Sequence, residues 1–404
     1  MRRPGVLQPF ADGNFSLYFG GQVISHTGMW FQNLALALVV LNVTGSAQAL
    51  SGVTIAQFLP LLVFSIPAGW LADRLRPRSI LLCTSLLSAG IVAVLALVAG
   101  GAAEPNLGAI YTLVAGLGTV STFERIAAQA IIFELVGAAG LTRAVSVSTI
   151  ALASARSIGP GLAGIAFQAL GATACMLLNS VAYLLVFVSI LLLRTARFHT
   201  RAKRASSADG PARQTLLRNR PFAVLLVVNV IVALLSLNLM LVLTSTVTLT
   251  YGGDAAAVGA VHALNAIGAI IGGLLAAARA SVGVRSLIIA CTGLGLALAA
   301  NAAAPTLPFF LMLGPVLGLA VGYYHGILQA AAQASVPPPM IGRAMSLVTM
   351  GNYGMAPLGA LLMGWVIDVS SGRIAMTLGG LGALAAALFA LIALRRPRRG
   401  RETM

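Results

Sequence analysis

Charge along this chain is confined to short clusters, and between the clusters lie apolar runs long enough to cross a bilayer. Only 8% of the 404 residues are Asp, Glu, Lys or Arg, while 59% are hydrophobic; a water-soluble domain carries about 25% charged residues. A hydrocarbon core about 30 Å thick needs roughly 20 apolar helical residues. Such runs occupy 15–41, 51–72, 79–101, 107–128, 143–166, 171–193, 222–247, 257–278, 285–303, 307–332, 344–367 and 374–394. The pattern predicts an all-α, polytopic membrane protein with twelve transmembrane helices. Arg2 and Arg3 precede a run too long for the apolar region of a cleaved signal peptide, so 15–41 reads as the first span.

The basic residues give the orientation. With both termini in the cytoplasm, 23 of the 25 Lys and Arg residues fall on or near the cytoplasmic side; Arg373 in an outer loop and Arg156 inside a span are the exceptions. The predicted outer loops hold Glu104, Asp254 and Asp368 instead. This is a positive-inside distribution, expected of a multi-pass membrane protein with both termini in the cytoplasm. The formal charge of +16 is therefore an anchoring and lipid-facing charge, with no nucleic-acid surface. Cys83, Cys175 and Cys291 all lie in apolar runs and read as buried small hydrophobes, and neither they nor the four His residues have metal-ligand spacing.

The chain repeats itself. Arg78-Ser79-Ile80-Leu81 returns as Arg285-Ser286-Leu287-Ile288 at an offset of 207, with Gly52 mapping to Gly259. Arg143 to Val147 returns as Arg343 to Leu347 at an offset of 200, and Pro160 as Pro357 at 197. Two diverged six-helix halves give such a drifting offset. The expected domains are an N-terminal bundle over 1–193, a cytoplasmic linker over 194–221 rich in Arg, Ser and Ala, and a C-terminal bundle over 222–404 ending in a basic tail. Repeats of this kind belong to transporters that bind substrate between halves and alternate access.

One charge cluster holds an acid among cations. In Gly69-Trp-Leu-Ala-Asp-Arg-Leu-Arg-Pro-Arg78, Gly69 permits a close helix approach and Asp73 lies about one turn further along the same face. Asp73 is placed to accept from a facing helix N-terminus or an Arg. This segment resembles the signature turn of the major facilitator superfamily at Gly69, Asp73, Arg74 and Arg78. The resemblance implies a gating role for those four residues. The second-half equivalent keeps Arg285 but has Ala280 and Ser281 where Asp73 and Arg74 stand in the first half, so the implied latch is one-sided.

The fifth span carries Arg156 to Gly164, RSIGPGLAG, in which Gly159, Pro160, Gly161 and Gly164 are expected to bend the helix and let it pack closely. This looks like the Gly-Pro motif of the superfamily's proton-exchanging exporters, with Ala163 replacing one Gly. Asn14-Phe15, Gly21-Gln22, Thr44-Gly45-Ser46, Asn179, Gln333, Arg343 and Pro357 extend the resemblance to its bacterial subgroup exporting drugs, macrolides and siderophores.

Polar residues inside hydrocarbon are costly and mark candidate pathways. Glu124, Glu134 and Arg156 are the candidates for energy coupling. Gln22, His26, Trp30, Gln32 and Asn33 in the first span and Gln57 in the second supply a polar and aromatic lining from one half. Asn229, Asn238, His262 and Asn265, then Tyr323, Tyr324, His325 and Asn352, supply it from the other. Interhelical packing polarity accounts for any one of them; as a set they point to a central cavity.

Enzyme chemistry has no support, because no paired nucleophile and base, HExxH or phosphate loop occurs. No cofactor or metal is expected. The expected function is secondary active export of amphipathic small molecules, multidrug or siderophore-like, in exchange for protons, by a monomer embedded in lipid. An importer or lipid flippase of the same fold, or a non-transporting sensor or assembly protein, are the alternatives.

Overall fold

The computed structural model describes residues 10, 12–100, 105–195, 198, 219–279, 282–337 and 340–395. The side chains of some helical residues, Asp73 and Arg156 among them, lie outside the described set. The protein is an all-α polytopic membrane protein in two pseudo-symmetric halves, with twelve helices among the described residues. Helices α1 (Gly13–Thr44), α2 (Ala47–Arg74) and α3 (Pro77–Gly100) precede one long helical stretch, Leu107–Leu191. That stretch leaves helical geometry at Gly137 (φ 64°) and Gly171 (φ 80°), giving α4 (107–136), α5 (138–170) and α6 (172–191).

Positive φ is strained for residues with a Cβ, so glycine is what allows both breaks. The φ/ψ departures within the stretch are at these two glycines, and Pro160 lies inside α5. The fourth span, expected over 107–128, runs on through Glu134 to Gly137. The apolar neighbours Phe133 and Leu135 pack inward or partly inward there, and helix hydrogen bonding carries the single acid.

The second half has α7 (Arg220–Leu235), a break at 236–238, and a continuation Leu239–Ser245 ending in a π turn, Thr246–Thr250. Asn238 spans the break, its amide donating to the carbonyls of Ala233 and Leu234 at 3.3 Å. Then come α8 (Ala255–Ala277), α9 (Val284–Ala302), α10 (Leu307–Ala334), α11 (Ile341–Val369) and α12 (Gly372–Arg395). Ten helical stretches among the described residues are long and apolar enough to cross a membrane.

Burial follows the solvent expected of lipid. On α3, Cys83, Leu86, Leu87 and Gly90 form an exposed i, i+3, i+4, i+7 stripe, whereas Thr84, Ser85 and Ser88 are buried. The Ser85 hydroxyl donates to the Leu81 carbonyl at 2.7 Å, and Ser180 on α6 donates to the Ala89 carbonyl at 2.8 Å. The Ser180 bond ties α6 to α3, the Ser85 bond satisfies its hydroxyl within α3, and large apolar residues face outward. Cys83, expected to be buried, is exposed because it falls on that outward stripe; Cys175 and Cys291 are buried.

The internal repeat has a physical counterpart in equivalent contacts. Asn14 at the start of α1 accepts from the Arg194 N–H at 3.0 Å and donates to its carbonyl at 3.1 Å. At offsets of 206 and 199, Arg220 at the start of α7 donates to the Ala393 carbonyl at 2.7 Å. Deeper in, Asn179 on α6 donates to Gln32 Oε1 on α1 at 2.7 Å. At offsets of 204 and 200, Ser236 after α7 donates to the Gly379 carbonyl on α12, also at 2.7 Å.

The chain divides into two compact units. Unit 1 comprises residues 1–45, 52–205 and 255–263, and unit 2 comprises 46–51, 206–254 and 264–404. The first turn of α2 therefore belongs to unit 2, and the first two turns of α8 belong to unit 1.

Candidate functional site: polar helix faces and a charged turn

The charged turn is short because α2 ends at Arg74 and α3 begins at Pro77. Proline suits a first helical position, where no N–H is needed. The Arg74 guanidinium lies 3.7 Å from the centre of the Trp70 ring, a cation–π contact. Arg78 reaches the end of α6, where Nε donates to the Ile190 carbonyl at 3.2 Å and Nη2 to the Leu191 carbonyl at 2.9 Å. A cation on the open carbonyls of a helix C-terminus satisfies both hydrogen bonding and the helix dipole. Among the described residues, no atom lies within 4 Å of the point where a Cβ on Gly69 would stand. The Asp73 side chain, with the Ala280 and Ser281 positions of the second repeat, lies outside the described residues.

The Gly-Pro segment of α5 makes two close contacts within unit 1. A Cβ on Gly159 would stand 2.6 Å from Cδ1 of Trp30, so α1 and α5 meet through that indole. A Cβ on Gly164 would stand 2.7 Å from the Gly259 Cα and 2.8 Å from the Ala255 carbonyl oxygen on α8, and one on Gly161 would stand 2.9 Å from Cβ of Ala263. Separations that small exclude any side chain, so the backbones of α5 and α8 touch directly. The sidedness of the motif comes from this packing: Gly159 serves α1, Gly161 and Gly164 serve α8.

Polar side chains of unit 1 fall into two groups. Gln32 is buried and bonded to Asn179, which makes it a structural tie between α1 and α6. Gln22 Nε2 and Trp30 Nε1 are buried and have no hydrogen-bond partner among the described residues. Asn33, His26 and Gln57 are half-buried, and the Gln57 backbone carbonyl packs against Gly118 of α4. Glu124 is half-buried on α4 while its neighbour Arg125 is exposed, so only the acid turns inward. It lies in electrostatic range of Tyr18 on α1 and Tyr183 on α6, both nearly fully buried. Glu134 is half-buried ten residues along the same helix.

In unit 2, Asn229 on α7 is fully buried and donates to the Val348 carbonyl of α11 at 2.9 Å. Asn265 Nδ2 on α8, the Tyr323 hydroxyl on α10 and Asn352 Oδ1 on α11 are buried without a hydrogen-bond partner among the described residues. The Arg279 guanidinium lies 5.8 Å from the Tyr323 ring centre. Tyr324 is wholly buried and faces Cys291 of α9, so it belongs to the packing between α9 and α10. His325 Nδ1 lies 3.2 Å from the Val321 carbonyl, and His262 of unit 1 is buried on α8.

Two further residue sets carry the architecture without having been singled out in the sequence. Gly268 and Gly272 on α8 face Gly318 and Gly322 on α10, and a Cβ on any of the four would overlap a backbone carbonyl oxygen of the opposite helix: Pro315, Leu319, Asn265 and Ala269 in turn. Each pair has the GxxxG spacing of close helix association, a signal present in the sequence. The other is Asp368, whose contacts with α2 have no local sequence signal.

Comparison with known proteins agrees with this architecture. A family model described as transmembrane secretion effector matches residues 4–402. The chain is 29% identical to the multidrug efflux pump Tap of Mycolicibacterium fortuitum, over 83% of this chain and 85% of that protein. It is 23% identical to macrolide efflux protein A of Streptococcus pyogenes, covering 88% and 89% respectively. Among solved structures, an auto-inhibited peptide transporter of the POT family superposes with a TM-score of 0.71 at 14% identity, over 96% of this chain and 99% of that one; this likeness is one of fold. Fold and family are those of transporters, not enzymes. The chain belongs to the transmembrane secretion effector family of the major facilitator superfamily, and is a secondary transporter of small molecules by alternating access in the bacterial inner membrane.

Proposed function

We propose that the protein exports amphipathic small molecules in exchange for protons, with both termini in the cytoplasm. The observation that carries the substrate class is a buried polar set within each unit that has no hydrogen-bond partner among the described residues: Gln22 and Trp30 in unit 1 and, separately, Asn265, Tyr323 and Asn352 in unit 2. A buried donor or acceptor without a partner costs about 1–3 kcal/mol, a penalty that water or substrate relieves. The groups are amides, an indole and a phenol, with no fixed charge among them, which suits neutral or weakly charged amphiphiles over strongly ionic ones. The efflux activities named for the two relatives above support the outward direction.

Glu124 is the proposed proton carrier. It is a half-buried acid of α4 in electrostatic range of the buried Tyr18 and Tyr183, beside the exposed Arg125. A carboxyl group in such a setting takes up and releases a proton as access to water alternates. Asp73 is the proposed one-sided gate of the charged turn, and residues 194–221 the cytoplasmic linker between two six-helix halves.

The test is a flux assay in proteoliposomes with imposed proton or sodium gradients and a panel of macrolides, dyes and siderophores. The reading expects efflux-direction transport of an apolar-faced compound driven by a proton gradient. Transport driven only by sodium, or only in the opposite direction, would overturn it.

A further inference from the structure

Asn229 of α7 is fully buried, and half of its side-chain amide is in use: Nδ2 donates to the Val348 carbonyl of α11 at 2.9 Å. Only the amide nitrogen can donate to a carbonyl, so that bond fixes which way the group points. Its Oδ1 is left buried, with no hydrogen-bond partner among the described residues. The amide lies against the backbone of α11, since a Cβ on Gly351 would stand 2.7 Å from Asn229 Nδ2 and 3.8 Å from its Cγ. A side chain at position 351 would displace the amide.

The next residue on α11 is Asn352, whose Oδ1 is also buried without a hydrogen-bond partner among the described residues. Asn352 lies four residues after Val348 on the same helix face, and a helical side chain leans back over the turn before it. Asn352 therefore leans toward the carbonyl that Asn229 holds, and two unused acceptor oxygens share one turn of α11. Both residues belong to unit 2. Asn229 lies about 14 Å along α7 from its start, and Asn352 about 17 Å along α11. Hydrocarbon at that depth supplies no donor. Asn352 is half-buried whereas Asn229 has no exposed surface, so Asn229 forms the floor of this place and Asn352 its rim.

The repeat shows that helix packing does not demand this pair. At the offset of 206 that relates Asn14 to Arg220, Asn229 corresponds to Val23. At the offset of 197 that relates Pro160 to Pro357, Asn352 corresponds to Ala155. The first half builds the corresponding helices with apolar residues at both places.

We propose that Asn229 and Asn352 form a subsite that binds a hydrogen-bond-donating group of the substrate, a hydroxyl or an uncharged amine. Amide oxygens are neutral acceptors, so they match a donor that carries little charge. A primary amine brings two N–H bonds to the two waiting oxygens, and a dimethylamino group on the same scaffold brings none. The subsite refines the substrate class proposed above and rests on that reading, but it needs neither the direction nor the coupling ion. A resident water would satisfy the same two oxygens, and the sign of one stability change separates water from substrate.

The test uses the full-length protein in lipid nanodiscs with two neutral probes of one scaffold, 7-amino-4-methylcoumarin and its N,N-dimethyl derivative. Equilibrium dialysis is expected to show the amino compound bound about tenfold more tightly by the parent protein. In Asn352→Leu that preference is expected to fall to about threefold or less. The empty Asn352→Leu protein is also expected to melt about 2 °C or more above the parent, because an acceptor that only substrate satisfies destabilises the empty protein. A melting temperature no higher than the parent's overturns the proposal, since it means that a resident water already satisfies Asn352. A preference below twofold in the parent, or one that survives unchanged in Asn352→Leu, overturns it as well. Dialysis needs no gradient, so absence of proton-driven efflux in the flux assay leaves the subsite standing, and loss of the subsite leaves the flux result standing.

Discussion

Asn179 on α6 donates to Gln32 on α1 at 2.7 Å, and the equivalent place in the other half is held by Ser236 donating to a Gly379 carbonyl at the same distance. The geometry of the joint has been kept while its chemistry changed from two side chains to one side chain and a backbone oxygen. Asn179→Ala orphans the buried Gln32 amide, so it is expected to destabilise the protein by about 1–2 kcal/mol. Ser236→Ala frees only a carbonyl that already serves its own helix, so its effect is expected to be below about 1 kcal/mol. Denaturation in mild detergent compares the two, and equal losses would show that the joints are energetically alike.

Packing between α8 and α10 makes a sharper contrast within one helix. Gly272→Ala places a methyl group against the Leu319 carbonyl and is expected to cost about 1–3 kcal/mol through overpacking. Gly273→Ala, one residue on, meets no described atom within 4 Å and is expected to stay within about 0.5 kcal/mol of the parent. A thermal shift assay on both variants checks this, and similar shifts would refute the close approach.

Glu124→Gln keeps size and hydrogen-bonding capacity and removes the exchangeable proton. The expected outcome is loss of pH-gradient-driven flux with substrate exchange at equilibrium preserved. Glu134→Gln serves as the comparison, and retention of normal pH dependence by the Glu124 variant would remove it from the coupling role.

Asp73→Asn is expected to lower turnover about tenfold and shift the inward/outward distribution, leaving substrate affinity within about twofold, because a gate biases states without touching the ligand. Spin-label distances across both ends report the distribution. Unchanged turnover and distances would discard the gate.

Much of the fold was legible because lipid imposes a simple rule: a run such as 79–101 is apolar throughout and bounded by charge, and α3 matches it within two residues. The repeat was legible for the same reason, since Arg78 and Arg285 mark equivalent turns. The α4–α6 stretch was harder. The apolar runs left gaps at 128–143 and 166–171 but did not single out the residues that turn the chain there: Gly137 and Gly171 supply the left-handed backbone, and positive φ at a glycine leaves no trace in hydrophobicity. Arg78 was read as a gating and topological charge; its bonds to Ile190 and Leu191 depend on where α6 ends, more than 100 residues on. Asp368 is the extreme case, an ordinary loop acid until α2 is seen beneath it. The polar lining residues divided less cleanly: Gln32, Asn229 and Asn238 each make a bond that ties helices or turns, while Gln22, Trp30, Asn229, Asn265, Tyr323, Tyr324 and Asn352 each keep a buried polar atom with no hydrogen-bond partner among the described residues.

The four glycines that lock α8 to α10 have a genetic consequence. Every amino-acid substitution reachable from a glycine codon by one base change introduces a Cβ, and at Gly268, Gly272, Gly318 and Gly322 the opposing carbonyl already occupies that space. In a saturation library these codons should tolerate little beyond synonymous change. Leu274, close by on the lipid-facing side of α8 and 66% exposed, should accept almost any apolar replacement.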